Sequence, residues 1–222
     1  MKAVLFDMYE TLVTHFNSPL YFGSQIAEDA GIPPESFYKT WHRTEDARTR
    51  GELTTDGVIG DIMRENGCYS PEKLAQIMDK RRAVKRDGFL HLDSEILPLL
   101  RELKTRGIAI GLISNCFSEE AEVIRECKLF PYFDSVMLSC EQGAAKPDER
   151  IFLNCLRELS LPAGECLYVG DGGSSELEAA QGLGMKAVQA LWYISRAGDG
   201  TSEIKKDFPH AESPLEVLDY LA

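Results

Sequence analysis

A chain of 222 residues with 44% apolar content can bury a sizeable core, which excludes a wholly disordered protein. Its 36 acidic residues outweigh 24 basic ones, and the formal charge of -12 repels nucleic-acid phosphates and anionic lipid. No stretch has the apolar length of a membrane span and the amino terminus shows no secretory apolar core, so a soluble cytoplasmic protein without nucleic-acid or membrane partners is expected.

The first predicted element is a strand over residues 2–6, KAVLF, whose unbroken apolar character suits burial on both faces. It ends in Asp7, inside the stretch VLFDMYETL. A carboxylate at the dry end of a strand needs a hydrogen-bond partner, a cation or a chemical task, because leaving it unpaired there is costly.

Residues 13 to 92 then break the strand rhythm. Helical patterns fall near 18–30, 34–49, 54–66 and 71–87, punctuated by Pro33-Pro34, Gly51, Gly67 and Ser70-Pro71. They predict an all-helical cap domain over 14–91, inserted into an α/β core of residues 1–13 and 92–222, with hinges near 13–17 and 88–93. Tyr38, Trp41, His42 and Arg43 fit an amphipathic helix more simply than a substrate-facing wall. His15 reads as a surface residue, and the basic run from Asp79 to Arg86 reads as a solvated helix face.

Beyond 92, apolar runs at 108–114 (IAIGLIS), 135–139 (SVMLS), 166–170 (CLYVG) and 186–191 (KAVQAL) alternate with helical segments. That order predicts a doubly wound, mostly parallel Rossmann-like sheet with helices on both faces. Residues 195–207, SRAGDGTSEIKKD, read as a mobile surface loop. The six cysteines form no C-x-x-C pair and are expected to be reduced and mostly buried, with Cys116 a small filler.

In an open α/β sheet, ligands bind beyond the carboxyl ends of the strands near the switch in winding direction. The exits here carry, in order, Asp7, then Ser114-Asn115, then Lys146-Pro147, then Gly170-Asp171 followed by Gly172-Gly173-Ser174-Ser175-Glu176. Any one of them alone is an ordinary turn or cap; all four in order at one sheet edge are not.

This arrangement resembles the haloacid dehalogenase (HAD) superfamily of hydrolases, in its capped subclass I, whose helical cap lies between the first and second motifs. The family's opening D-x-D-x-T stands here as Asp7-Met8-Tyr9-Glu10-Thr11, with tyrosine in place of the second aspartate. Ser114 matches the second motif, Lys146 the third, and Asp171 with Glu176 the acidic fourth.

The resemblance implies a nucleophilic Asp7, already ionised at neutral pH and needing no base to attack. It implies catalytic roles for Asp7, Tyr9, Ser114 and Lys146, and substrate contacts from Thr11, Ser114, Asn115 and Lys146. It also implies Mg²⁺ held by Asp7, the backbone carbonyl at Tyr9 and Asp171, with Glu176 orienting water held by the ion. The expected activity is a Mg²⁺-dependent phosphatase of a small phosphorylated metabolite, acting through an aspartyl-phosphate intermediate.

Tyr9 qualifies that expectation, since a phenol with a pKa near 10 poorly replaces the family's acid-base aspartate. Tyrosine at this place resembles the 2-haloacid dehalogenase branch, which uses no metal and would form an ester on Asp7. A third reading is a catalytically weak protein that binds phosphometabolites. Dehalogenation leaves Asp171 and Glu176 without a purpose, whereas phosphoryl transfer leaves only the proton donor unfilled, and Glu10 is a candidate for that place.

Overall fold

The fold is built around β1 (Ala3–Phe6), a strand buried along its whole length. Residues 1–194 and 203–222 are described by the computed structural model. β1 is paired in parallel with β2 (Ala109–Ser114) on one side and with β4 (Cys166–Gly170) on the other. β3 (Ser135–Leu138), β5 (Lys186–Ala190) and a short β6 (His210–Ala211) extend this into a six-stranded sheet of order β3-β2-β1-β4-β5-β6. The winding direction reverses between β1 and β4, so the exits of those two strands border the crevice in which such sheets bind ligands. β6 is too short to leave a periodic signal in the sequence.

Alternation along β1 divides two apolar layers. Val4 and Phe6 pack with α6 (Ile96–Thr105) and α7 (Ser118–Glu126), while Ala3 and Leu5 pack with α9 (Glu149–Leu159) and α10 (Glu176–Gly182). A short α8 (Ser139–Gln142) follows β3. No helix among the described residues is long and apolar enough to cross a membrane.

Between β1 and α6 lie α1 (Gly23–Ala30), α2 (Pro34–Arg43), α3 (Glu45–Thr49), α4 (Thr55–Glu65) and α5 (Pro71–Gly88). The periodicity over 34–49 predicts one helix where the chain forms two. The break falls at Thr44, whose hydroxyl donates to the carbonyls of Thr40 and Trp41, a side-chain bond that competes with the helical ladder. These helices enclose a core of their own, with Ile26, Phe37, Ile59, Ile62 and Ile77 fully or almost fully buried.

The basic run on α5 is a solvated face only in part, with Asp79, Lys80 and Arg86 exposed. Arg81 and Lys85 are buried against α7, Arg81 donating to Glu119 at 2.7 Å and Lys85 lying 2.7 Å from Glu120. Arg82 and Arg86 continue the row more openly, at 2.7 Å from Glu122 and 2.8 Å from Glu126. The cations recur along one stripe of α5 and the acids along one stripe of α7, so the two helices cover one another along that seam.

Of the expected loop at 195–207, residues 195–202 lie outside the described residues. After them, the amide of Lys205 donates to Gln189 Oε1 at 2.8 Å and the Gln189 amide donates to the Glu203 carbonyl at 2.8 Å, so that end is tied to β5.

Candidate active site

Register places the acids. Phe6 is opposite Leu112 on β2 and Val169 on β4, so the next residues of β1 and β4 leave the sheet side by side. The amide of Asp7 donates to the Val169 carbonyl at 3.0 Å, which carries the pairing one residue past the strand. Gly170 then allows a close approach: a Cβ there would lie 1.9 Å from Glu176 Oε1. The sheet edge thus admits Glu176, from the first turn of α10, directly against the end of β4.

Carboxylate oxygens of Asp7, Asp171 and Glu176 all lie within 4.8 Å of one another, and all three residues are buried. Lys146 joins them from the loop before α9, its Nζ 2.5 Å from Asp7 Oδ1 and also hydrogen-bonded to Glu176 Oε2. Glu176 further accepts the Tyr168 hydroxyl at 2.9 Å and the Gly172 amide at 3.3 Å. Asp171 Oδ1 accepts the Gly173 amide at 3.1 Å, and the Asp171 carbonyl accepts the side-chain amide of Gln189 at 2.8 Å.

Electrostatics follow from burial and crowding. Burial raises the Asp7 carboxyl to about 6, with Lys146 opposing and Asp171 adding to the rise. Burial and then the Asp7 charge raise Glu176 to about 8, again against Lys146. Burial disfavours the Lys146 charge, but Asp7 and Glu176 outweigh it and hold its pKa above the ordinary lysine range. Lys146 thus bridges Asp7 and Glu176, with the Asp171 carboxylate beside them in the same buried place.

Two buried hydroxyls complete the strand-exit set. The side-chain oxygens of Thr11 and Ser114 are buried and meet no hydrogen-bond partner among the described residues. Such groups cost free energy unless a ligand or water engages them.

Asn115 is tied to the lysine. Its amide donates to the Lys146 carbonyl at 3.0 Å and its oxygen accepts the Lys146 amide at 2.7 Å, clamping the backbone that carries the lysine.

Tyr9 points its side chain away from the acids and toward the helical insert. Its ring stacks on His15 with centroids 4.3 Å apart, and its hydroxyl is buried without a partner among the described residues. Burial, followed by the Glu120 charge, raises the Tyr9 phenol well above its usual range. His15, expected at the surface, is packed between Tyr9 and Lys85, with the lysine Nζ 3.3 Å from Nδ1. Burial, with Lys85 beside it, lowers His15 to about 3 and keeps it neutral at pH 7.

Glu10 adopts a left-handed backbone, φ 58°, which costs strain in a residue other than glycine. Its carboxylate accepts the Thr14 hydroxyl at 2.6 Å and the His15 amide at 3.0 Å. Burial raises its pKa; those two bonds oppose the rise, while Asp171 and Asp7 add to it.

A cleft of about 730 Å³ opens beside Lys146 and Asn115, walled on the insert side by His42, Glu45, Thr49 and Arg50. His42 and Glu45 also line a second cavity of about 270 Å³, which includes Tyr38, Trp41, Phe117 and Lys85. Tyr38, Trp41 and His42 thus face a cavity as well as packing on their own helices, and Arg43 does not line it.

Tyr168 and the Arg81–Glu119 pair were absent from the expected set. A tyrosine amid the aliphatic run CLYVG was the one available signal for Tyr168, since a buried phenol needs a partner. Nothing local to α5 signalled that its partner lies 38 residues away.

Residues 1–184 match the family described as haloacid dehalogenase-like hydrolases. The chain belongs to that family. This HAD-like hydrolase is similar to a sesquiterpene phosphatase of Aspergillus oryzae, 28% identical over 185 residues that span 83% of this chain and 87% of the relative. Its fold is also that of a HAD phosphatase from Thermococcus onnurineus, with TM-score 0.66 at 21% identity, covering 100% of this chain and 98% of the other. A 2-haloacid dehalogenase from Pseudomonas syringae pv. Tomato DC3000 is equally similar in shape, with TM-score 0.70 at 21% identity over 100% and 98% of the two chains. Phosphatase and dehalogenase therefore share this HAD-like architecture, and the side chains at the sheet edge carry the distinction.

Proposed function

We propose that this HAD-like hydrolase is a Mg²⁺-dependent phosphatase of small phosphorylated metabolites, acting through an aspartyl-phosphate on Asp7. The reading rests chiefly on the donor set of the centre: carboxylates of Asp7, Asp171 and Glu176 within 4.8 Å, with Lys146 as the neighbouring ammonium. Oxygen donors of this kind and number fit a hard divalent cation. Asp7, Asp171 and the backbone carbonyl at Tyr9 would hold it, with Glu176 behind them. When bound, the ion offsets the repulsion between the nucleophile and an anionic ester and polarises the phosphoryl group.

The chain's own residues supply the rest. A carboxylate oxygen of Asp7 attacks phosphorus, the ester oxygen departs, and water later attacks the aspartyl-phosphate to release phosphate and restore Asp7. Lys146 holds Asp7 in place and neutralises charge on the non-bridging oxygens. The unpartnered hydroxyls of Thr11 and Ser114 are the natural donors to those oxygens. Glu10, buried and with its pKa raised, is the candidate proton donor to the departing oxygen. Residues 14–91 act as a cap whose cavity-lining side chains select the organic part of the ester, and the protein works in the cytoplasm.

One observation favours a second reading, a metal-independent 2-haloacid dehalogenase. The Tyr9 phenol is buried with a raised pKa, so it suits a reaction whose leaving halide needs no proton. A panel of phosphate monoesters and 2-haloacids, run with Mg²⁺ and with EDTA, separates the two. The phosphatase reading expects phosphate release that requires Mg²⁺ and disappears in Asp7→Asn. Halide release undiminished by EDTA would replace it with dehalogenation, and ester binding without turnover would leave a binding protein.

A further inference from the structure

Cys116 and Cys140 lie where the second strand exit meets α8, apart from the acidic centre. Their sulfurs are 3.9 Å apart. The backbones that carry them are already stitched together: the Cys116 amide donates to the Ser139 hydroxyl oxygen at 3.0 Å, and that hydroxyl donates to the Cys116 carbonyl at 3.2 Å. A disulfide bond of about 2.05 Å would require the sulfurs to approach by about 1.9 Å.

The two thiols differ in access. Cys116 is buried, whereas Cys140 is half-buried and lines a surface cavity of about 250 Å³ together with Gly51, Thr54, Ser118 and Arg125. Gly51 approaches so closely that a Cβ there would lie 1.8 Å from the Cys140 carbonyl oxygen, which makes the Cys140 backbone a fixed point beneath the insert. The hydrogen bond to Cys116 lowers the Cys140 thiol and raises that of Cys116. An accessible thiol that ionises first, backed by a buried one within reach, is the arrangement of an oxidisable pair.

We propose that Cys116 and Cys140 are an oxidative modification site, closed to a reversible disulfide by hydroperoxides. The Cys140 thiolate attacks a peroxide oxygen, the O–O bond breaks, and hydroxide leaves to become water, which gives Cys140 sulfenic acid. The Cys116 sulfur then attacks the Cys140 sulfur, the S–O bond breaks, and the departing hydroxide takes the Cys116 proton as a second water. Two thiols and one hydrogen peroxide thus become one disulfide and two waters. The cross-link would join the turn that carries Asn115, the clamp on Lys146, to the helix that supports the insert at Gly51.

The test uses the reduced full chain treated with hydrogen peroxide and then blocked with an alkylating agent. Trypsin isolates Cys116 within residues 107–125 and Cys140 within residues 129–150, each peptide carrying a single cysteine. The expected result is loss of two alkylatable thiols and one cross-linked pair of these peptides, reversed by dithiothreitol and absent in Cys140→Ser. The proposal is overturned if both thiols stay alkylatable while Cys68 oxidises, if Cys140 ends as sulfinic acid, or if either cysteine pairs elsewhere. The wild-type chain alone gives the decisive reading, so it does not depend on how the variant folds.

Discussion

Lys146 Nζ lies 2.5 Å from Asp7 Oδ1, and the same ammonium is bonded to Glu176. One cation therefore holds the carboxylate proposed to attack and a second acid from the opposite side of the crevice, and all three are buried. The pair is a structural dependency as well as a chemical one. Asp7→Asn is expected to lower phosphate release by about 10³-fold or more, because an amide is no nucleophile. Lys146→Met leaves two buried acids without their partner and is expected to destabilise the chain by about 3–5 kcal/mol, measured by urea unfolding without Mg²⁺.

Magnesium should stabilise the protein, and more so as pH rises. With Asp7 raised to about 6 and Glu176 to about 8, the ion-free native state binds more protons than the unfolded chain. Their contribution to stability is present below their ordinary values near 4 and is lost as pH climbs through about 6 and about 8. The melting temperature with EDTA is therefore expected to fall across that window. Saturation with Mg²⁺ at a hundred times Kd should restore about 2.7 kcal/mol at pH 8, and Asp171→Asn should abolish that gain.

Tyr9 sets the rate. Tyr9→Asp supplies the acid that the first motif lacks and is expected to raise kcat for alkyl phosphates by about 10²-fold, with little gain on p-nitrophenyl phosphate, whose leaving group needs no proton. If Glu10 fills the proton-donor role instead, Glu10→Gln lowers kcat on alkyl phosphates by about 10²-fold and removes the alkaline limb of the pH profile. An undiminished rate in Glu10→Gln across the pH range would leave Glu10 only its bonds to Thr14 and His15.

The joint between α5 and α7 should fail in acid. His15 is held neutral to about 3, against an ordinary value of 6.5, so protonation favours the unfolded chain as pH falls through 6.5. Burial would raise Glu120, but Lys85 and Arg81 outweigh it and hold it at about 2, so its contribution is present above 4.5 and lost below. The His15 contribution to stability is expected to drop by on the order of 1 kcal/mol between pH 6.5 and 5, read in thermal scans as the difference between the wild-type chain and His15→Phe, which cancels the opposite trend of Asp7 and Glu176. Arg81→Met strands Glu119 and should cost about 3–5 kcal/mol at pH 7, most of it recovered in Arg81→Met with Glu119→Leu.

Much of this molecule is written locally. A buried apolar run that stops at Asp7, Ser114 or Gly170-Asp171 announces both a strand and what stands at its exit, because the chain cannot end a dry strand on a charge without a use for it. Five of the six strands and the sheet's winding follow from alternating apolar runs and helices. Only the tertiary structure decided which faces meet. Periodicity shows that α5 and α7 each carry a charged stripe, and only their packing turns Arg81 and Lys85 inward onto Glu119 and Glu120. The same holds for His15 on Tyr9, Asn115 on the Lys146 backbone and Tyr168 on Glu176. A residue's own neighbours in sequence determine its local conformation, whereas charge pairing and burial act through space between segments that the sequence alone does not bring together.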